Sequence, residues 1–363
     1  MIRLIKPYIE FEDVEQEFRE IFESGIFTRG KYVDLFIKKF CECTEAKYTF
    51  PTTSATTALS TCLAILDISK DDEVIVSDFS FPATVNVVEE RSATPVFADV
   101  SLETYNMTAC ELEQKITDQT KAVIFVCALG NPDGIDDIHE VCQKHSIPLI
   151  VDAACALGSK VNGRPIGSIG DLTCFSFHPR KLLTSGEGGA ITTNNDEYAK
   201  ILKVKLMHGS ETIDGKTEFI TYGYNYRLPE LQSVMLIKQL ESLDDIVQRR
   251  IVQQERYKEY LESKGFTAQK HSENVLHNVQ SLVFTVPEGT DRDILIKALR
   301  DKGIETTIGT YCQSACNYYL DKYDDVQKNS LWLEQNTITL PCYDEVDVDA
   351  VCENMIAIGE ANG

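Results

Sequence analysis

From about residue 55 the chain alternates short, unbroken apolar runs with stretches of helical periodicity, and few folds accept that pattern. The runs are Glu73-Val74-Ile75-Val76, Pro95-Val96-Phe97, Lys121-Ala122-Val123-Ile124-Phe125-Val126, Leu149-Ile150-Val151, Leu172-Thr173-Cys174-Phe175 and Gly189-Ala190-Ile191-Thr192. A strand wet on one face alternates apolar and polar residues; these runs do not, so both of their faces must be covered. Helices between them supply the cover and the crossovers, which makes a mostly parallel α/β sheet the expectation. Ligands in such sheets collect at the carboxyl ends of the strands. Asp152 and Lys181 each stand just after an apolar run, so both are expected at that edge.

The stretch around Lys181 carries the most chemistry. Phe175-Ser176-Phe177-His178-Pro179-Arg180-Lys181, then Thr184-Ser185-Gly186-Glu187-Gly188-Gly189, sets one lysine between a strand and a turn too glycine-rich for regular structure. Imine formation with an aldehyde needs the neutral amine. Holding a free lysine (pKa about 10.4) neutral at pH 7 costs roughly 4.6 kcal/mol. Desolvation at the sheet edge would offset much of that, and covalent capture more. Taken alone, Lys181 could equally be a loop lysine in water.

Its neighbours have the same two sides. Asp152 could pair with a protonated pyridine nitrogen or be satisfied by backbone amides. Ser54-Ala55-Thr56-Thr57 opens a predicted helix and could seat a phosphate or simply cap that helix. Ser176 could add a hydroxyl to the same anion. Phe81, in Phe79-Ser80-Phe81-Pro82-Ala83-Thr84, could stack on a flat ring or belong to the core. His178 could touch a ligand or be a hydrogen-bonded structural residue, and the other five histidines lack metal-ligand spacing. No metal site is expected.

Composition narrows the partners. The net charge is −22, without clustered lysine or arginine, so nucleic acid and anionic membranes are not expected partners. Met1-Ile2-Arg3-Leu4-Ile5-Lys6-Pro7 lacks a signal-peptide core, and no run of 18 apolar residues exists. A cytoplasmic protein is expected. Most of the twelve cysteines, such as Cys62, Cys127, Cys174 and Cys352, sit inside apolar runs and read as buried reduced thiols.

The flanks complete the plan. Val14, Phe18, Ile21 and Phe22 recur at helical spacing and stop at Gly25. Residues 229–262 read as helical and as a link between domains. Ser281–Val286, a helix from about Asp291 to Lys302, and Ile304–Ile308 suggest a smaller C-terminal α+β unit. The expected division is 1–245 and 246–363.

These motifs, spread over nearly the whole chain, resemble the DegT/StrS-type nucleotide-sugar aminotransferases, of the aspartate aminotransferase fold type I. Gly25-Ile26-Phe27-Thr28-Arg29-Gly30 resembles that family's opening loop, and Gly130-Asn131-Pro132 its mid-domain turn. Asp152-Ala153-Ala154, Phe175–His178, Lys181 and Gly186–Gly189 resemble its core signature, and Gly223-Tyr224-Asn225-Tyr226-Arg227 an element that crosses a dimer. The resemblance implies a large domain with a seven-stranded, mostly parallel sheet that binds pyridoxal 5'-phosphate, and a small C-terminal domain. Lys181 would hold the cofactor as an imine and move the proton; Asp152 would bind the pyridinium nitrogen. Phe81 and Ala154 would sandwich the ring. Ala55, Thr56 and Ser176 would hold the phosphate, with Asn225 of the partner subunit in a homodimer.

By the same resemblance L-glutamate is the amino donor and a nucleotide-linked keto-deoxy sugar the acceptor. A 4-keto-6-deoxy sugar is favoured, its product an amino sugar for glycan or lipopolysaccharide biosynthesis. Arg29, His178, Arg227 and Tyr311 are candidate substrate contacts. Two departures stand out: Ala55 replaces a frequent glycine, and Cys155 stands where histidine or glutamine is frequent. A sugar dehydratase, a 3-keto sugar aminotransferase and a non-enzymatic regulator that binds the cofactor or a nucleotide sugar are the alternatives.

Overall fold

A computed structural model of the chain describes residues 1–362, with side chains through residue 359. Its centre is a seven-stranded sheet. In chain order the strands are β1 Tyr48–Thr52, β2 Glu73–Ser77, β3 Thr94–Ala98, β4 Thr120–Val126, β5 Leu149–Asp152, β6 Leu172–Ser176 and β7 Gly189–Thr193. They lie side by side as β1-β7-β6-β5-β4-β2-β3. From β6 across to β3 all neighbours are parallel. At the other end β7 runs antiparallel to β6, and β1 antiparallel to β7.

The six apolar runs are β2 to β7. The apolar pattern misses β1, because Tyr-Thr-Phe-Pro-Thr carries two threonines and a proline. An edge strand accepts that proline, since one side of its ladder is free. The chain turns back between β6 and β7 because the loop 177–188, which bears Lys181, contains no crossover helix.

Helices cover both faces. α1, Glu15–Ser24, ends at Gly25 in the left-handed region (φ 67). It buries Ile21, with Val14 buried just before its first turn, while Phe22 stays 65% exposed. α2 is Lys31–Thr44. α3, Ala55–Ile65, is buried all round from Ala58 onward and packs between the sheet and α4, Pro82–Glu90. α5, Glu230–Leu240, packs on α2, and its buried Glu230 carboxylate accepts the N–H groups of Gly30 (2.8 Å), Tyr32 (3.0 Å) and Val33 (3.1 Å).

The helical link of residues 229–262 is thus two helices, α5 and then α6, Leu243–Leu261, parted at Glu241-Ser242. α6 reaches the C-terminal unit, where β8 Thr267–Ala268, β9 Leu282–Thr285, β10 Thr307–Ile308 and β11 Thr337–Leu340 form an antiparallel sheet ordered β8-β9-β11-β10. Helices α7, Arg292–Asp301, and α8, Val348–Asn362, complete this α+β layer. The amino terminus joins it: Ile2 bridges Ile304, and Leu4 C=O accepts from Cys342 N–H.

A two-residue pairing of Phe79-Ser80 with Tyr311-Cys312 ties the C-terminal unit to the edge of the large sheet. Asp78 beside it is buried and accepts from Ser314 N–H (2.7 Å) and Ser314 Oγ (2.9 Å). Burial pushes its carboxyl up to about 6. All twelve cysteines are free thiols, and Cys62, Cys127, Cys174 and Cys352 are buried. Among the described residues no helix is long and apolar enough to cross a membrane, and no cluster of three metal-ligating side chains occurs.

Candidate active site

The strand order reverses between β2 and β4: from β2 the chain goes outward to β3, then returns on the other side as β4. Loops leaving such a reversal diverge and leave a crevice at the carboxyl edge. A cavity of about 570 Å³ opens there, walled by the turns after β2, β4, β5 and β6 and closed by the C-terminal unit at Thr310 and Tyr311. It is large enough for a cofactor and a substrate together.

Asp152 closes β5 at the cavity floor. Its Oδ2 accepts from Thr84 Oγ1, in the first turn of α4, at 2.8 Å, and its Oδ1 from Ala154 N–H at 3.1 Å. Burial raises its pKa, against the pull of Thr84, Ala154 N–H and the Lys181 charge. Both hydrogen-bond donors are neutral, so the buried charge has no direct cationic partner. A protonated ring nitrogen is the group this carboxylate lacks.

The anion seat lies at the start of α3. Ser54 is the N-cap and engages Thr57 reciprocally, accepting Thr57 N–H at 3.1 Å while Thr57 Oγ1 accepts Ser54 N–H at 3.1 Å. That leaves the Ala55 and Thr56 N–H groups, the first two of the helix, without intrahelical partners and beside the cavity. Ala55 is helical, so the methyl in place of glycine costs no backbone strain. Gly189 begins β7 directly behind: a Cβ there would lie 2.4 Å from Ser54 C and 2.7 Å from Ala55 N. Ser176, paired with Gly189 across the strands, also faces the cavity.

Lys181 is held by a loop that folds on itself. Phe177 N–H donates to Gly188 C=O, Lys181 N–H to His178 C=O and Ser185 N–H to Phe177 C=O. Lys181 Nζ enters the cavity and donates to Cys155 Sγ at 3.0 Å. His178 Nδ1 accepts from Arg180 N–H at 3.2 Å, and burial, with Lys181 and Arg180 nearby, lowers the imidazole pKa. Phe81 leaves 65% of its surface exposed, its ring centroid 6.4 Å from that of Tyr311.

The structure therefore brings Ala55, Thr56, Phe81, Asp152, Ala154 and Ser176 to one cavity with Lys181, together with His178 and Tyr311. It does not bring Arg29, Asn225 or Arg227 there. Arg29 lies on the exposed loop before α2. Asn225 is exposed on the extended arm 222–229, and Arg227 faces His208 Nε2 at 3.3 Å. Gln280, which fastens the lysine loop, and Asn278, which holds the backbone at Cys155 and Leu157, escape sequence reasoning altogether: each acts through side-chain bonds to distant backbone, which leave no local pattern.

A switch-point cavity with a lysine amine, a buried strand-end carboxylate, a free helix N-terminus and a bare aromatic face fits pyridoxal 5'-phosphate group by group. The chain is an aminotransferase that uses this cofactor. It belongs to the DegT/DnrJ/EryC1/StrS aminotransferase family, whose model matches residues 9–356. Among curated relatives it is 32% identical over 337 residues to a GDP-perosamine synthase of Escherichia coli O157:H7, covering 91% of each chain. It is 31% identical over 310 residues to one from Vibrio cholerae, covering 84% of each. The putative sugar aminotransferase Spr1654 of Streptococcus pneumoniae, solved in its PMP form, superposes with a TM-score of 0.94 at 26% identity over 100% of both chains.

Proposed function

We propose that this aminotransferase moves the amino group of L-glutamate to a nucleotide-linked ketosugar, a 4-keto-6-deoxy sugar by preference. The observation that carries this is the meeting of Lys181, Asp152 and the open start of α3 in one cavity of about 570 Å³. The bound cofactor supplies an electron sink for the carbon that loses its proton. Asp152 holds the ring nitrogen protonated by charge pairing, while Ala55, Thr56 and Ser176 anchor the phosphate. Phe81 and Ala154 fix the ring between them. Lys181 Nζ takes the α-proton of glutamate and returns a proton to the sugar carbon. His178, kept neutral by its lowered pKa and with Nδ1 accepting from Arg180 N–H, has its Nε2–H to donate to a sugar oxygen beside Tyr311.

Asn225 is exposed and away from its own chain's cavity, next to an arm with Phe219, Ile220 and Tyr222 also exposed. A homodimer would cover that apolar surface and deliver Asn225 to the phosphate of the partner subunit. Arg29 and Arg227 on the same side would then meet the diphosphate or the glutamate carboxylate. We place the domain division at 245/246, within the first turn of α6.

GDP leads the order of nucleotides to test, since two relatives are named GDP-perosamine synthases. Incubation with glutamate and GDP-, dTDP- or UDP-linked 4-keto-6-deoxy sugars, read by mass spectrometry, should yield 2-oxoglutarate and one aminated nucleotide sugar. Lys181→Ala should retain the fold and lose turnover. Wild-type turnover in that variant sinks the assignment.

A further inference from the structure

Lys181 is fixed at both ends by one short segment at the junction of the two structural layers. The side-chain amide of Gln280 brackets it: Oε1 accepts Leu182 N–H, and Nε2 donates to Arg180 C=O at 2.8 Å. The backbone on either side of the lysine is thereby paired as a strand partner would pair it. At the far end of the side chain, Cys155 Sγ receives Nζ. Cys155 is itself held from behind, its C=O accepting Asn278 Nδ2 at 2.8 Å. Asn278 Oδ1 then accepts Gln280 N–H at 2.9 Å, which closes the circuit.

Asn278 and Gln280 are buried at 0% and 5% exposure. A Cβ on Gly130 would lie 2.1 Å from Asn278 Oδ1, so the turn at 130 must be glycine for this arrangement to fit. From the other side the buried guanidinium of Arg250, on α6, donates to Gln280 C=O at 2.9 Å and Val279 C=O at 2.8 Å. It also donates to Cys342 C=O.

We propose that Gln280, Asn278 and Cys155 form a clamp that positions Lys181 and sets how readily its amine is released. This rests on the reading of Lys181 as the cofactor-bearing lysine. Gln280 and Asn278 are positioning residues that act through the lysine's backbone and through Cys155. The thiol is a weak hydrogen-bonding partner. A carboxylate in its place would hold Nζ as an ammonium ion. A thiol keeps the nitrogen in register and gives it up at small cost, which suits an amine that must alternate between bound and free states.

The test uses the full chain and two variants. Gln280→Glu keeps the acceptor for Leu182 N–H but sets a carboxylate against Arg180 C=O. Cys155→Asp changes one cavity-wall side chain. Borohydride reduction of the unmutated holoenzyme and peptide mapping come first; a cofactor adduct elsewhere than Lys181 overturns both the reading and the clamp. With the adduct on Lys181, cofactor capture by cofactor-free protein is followed at the absorbance band of the lysine-bound form. Gln280→Glu should slow capture at least about tenfold, the effect of one lost buried hydrogen bond. Cys155→Asp should move the pH midpoint of that band up by at least about one unit, through ion pairing. Neither readout follows from a loss of stability. If Gln280→Glu does not fold, Gln280→Met takes its place under the same criterion. Folded variants with the wild-type rate and midpoint overturn the clamp alone.

Discussion

The hydroxyl of Thr84 donates to Asp152 Oδ2 at 2.8 Å, and both side chains are buried beneath the cavity. The carboxylate is oriented by a neutral group, with its charge left for a ligand. Burial raises its pKa, so the ionised form is strained until a cation arrives. In the sign convention of linkage, a raised carboxyl contributes stability at low pH that is lost as pH rises through its folded value.

Asp152→Asn should therefore leave the thermal midpoint of the cofactor-free protein at pH 8 unchanged or higher. Addition of pyridoxal 5'-phosphate at about 100 times its Kd stabilises the wild type by about 2.7 kcal/mol, and the variant should gain less than half of that. Turnover should fall at least about 100-fold, equivalent to about 2.7 kcal/mol at the transition state. Thermal scans with and without cofactor, alongside steady-state rates, check the three parts separately.

How far the sequence reaches is visible in these same residues. Asp152, Ser176 and Lys181 are legible because strand ends in an α/β sheet share an edge, and the apolar runs mark the strand ends. Ala55 and Thr56 are legible because an N-cap serine announces a helix start. β1 is not, since an edge strand needs no apolar pattern and Tyr48–Thr52 carries proline and threonine. The antiparallel turn of β7 is hidden because the local sequence of a strand does not record its direction. Gln280 acts on backbone 98 and 100 residues away, a separation that no periodicity encodes. Asn225, Arg29 and Arg227 lie in stretches that resemble family motifs, yet none of them lines the cavity of their own chain.

Gly189 offers a steric test of the phosphate seat. A Cβ there would meet backbone, Ser54 C at 2.4 Å, and backbone at the start of α3 can yield only by moving the helix N-terminus. Gly189→Ala should weaken cofactor affinity at least about tenfold in a fluorescence titration, a displacement of about 1.4 kcal/mol. Gly186 is the control: nothing lies within 4 Å, but its φ is +83. Gly186→Ala should cost about 1 kcal/mol of stability through backbone strain and leave affinity near wild type.

Glu230 holds the entrance of α2 by accepting three N–H groups, at 2.8, 3.0 and 3.1 Å, from a site with 2% exposure. Glu230→Ala strands those donors and should lower the unfolding free energy by about 3 kcal/mol. Glu230→Gln should cost about 1 to 2 kcal/mol, because an amide keeps one acceptor but loses the charge that complements the helix dipole. Urea titrations of the two variants set the order. Equal losses would mean that the amide's remaining acceptor contributes nothing, whereas a Glu230→Gln variant as stable as the wild type would mean that the charge is immaterial.

His277 gives the chain an acid-sensitive element of known sign. It is 2% exposed, its Nε2 lies 3.3 Å from Leu129 C=O, and its Nδ1 is buried without a partner. Burial lowers its pKa to about 3, and the nearby His271, Lys258 and Arg250 push the same way. A depressed histidine contributes stability above its unfolded value of about 6.5 that is lost as pH falls toward 3. Between pH 7.5 and pH 5 the loss is about 2 kcal/mol, from ~1.5 units at ~1.36 kcal/mol each. Asp78 opposes it: with its carboxyl raised to about 6, acidification through that range returns stability. The whole protein's pH dependence hides both contributions, so the readout must be a difference. The stability of the wild type minus that of His277→Gln, from urea unfolding, should fall by about 2 kcal/mol between pH 7.5 and pH 5, whatever the absolute cost of the substitution. A difference that stays constant over that interval would mean that His277 takes up its proton as readily in the folded protein as in the unfolded chain, and so is not depressed by burial.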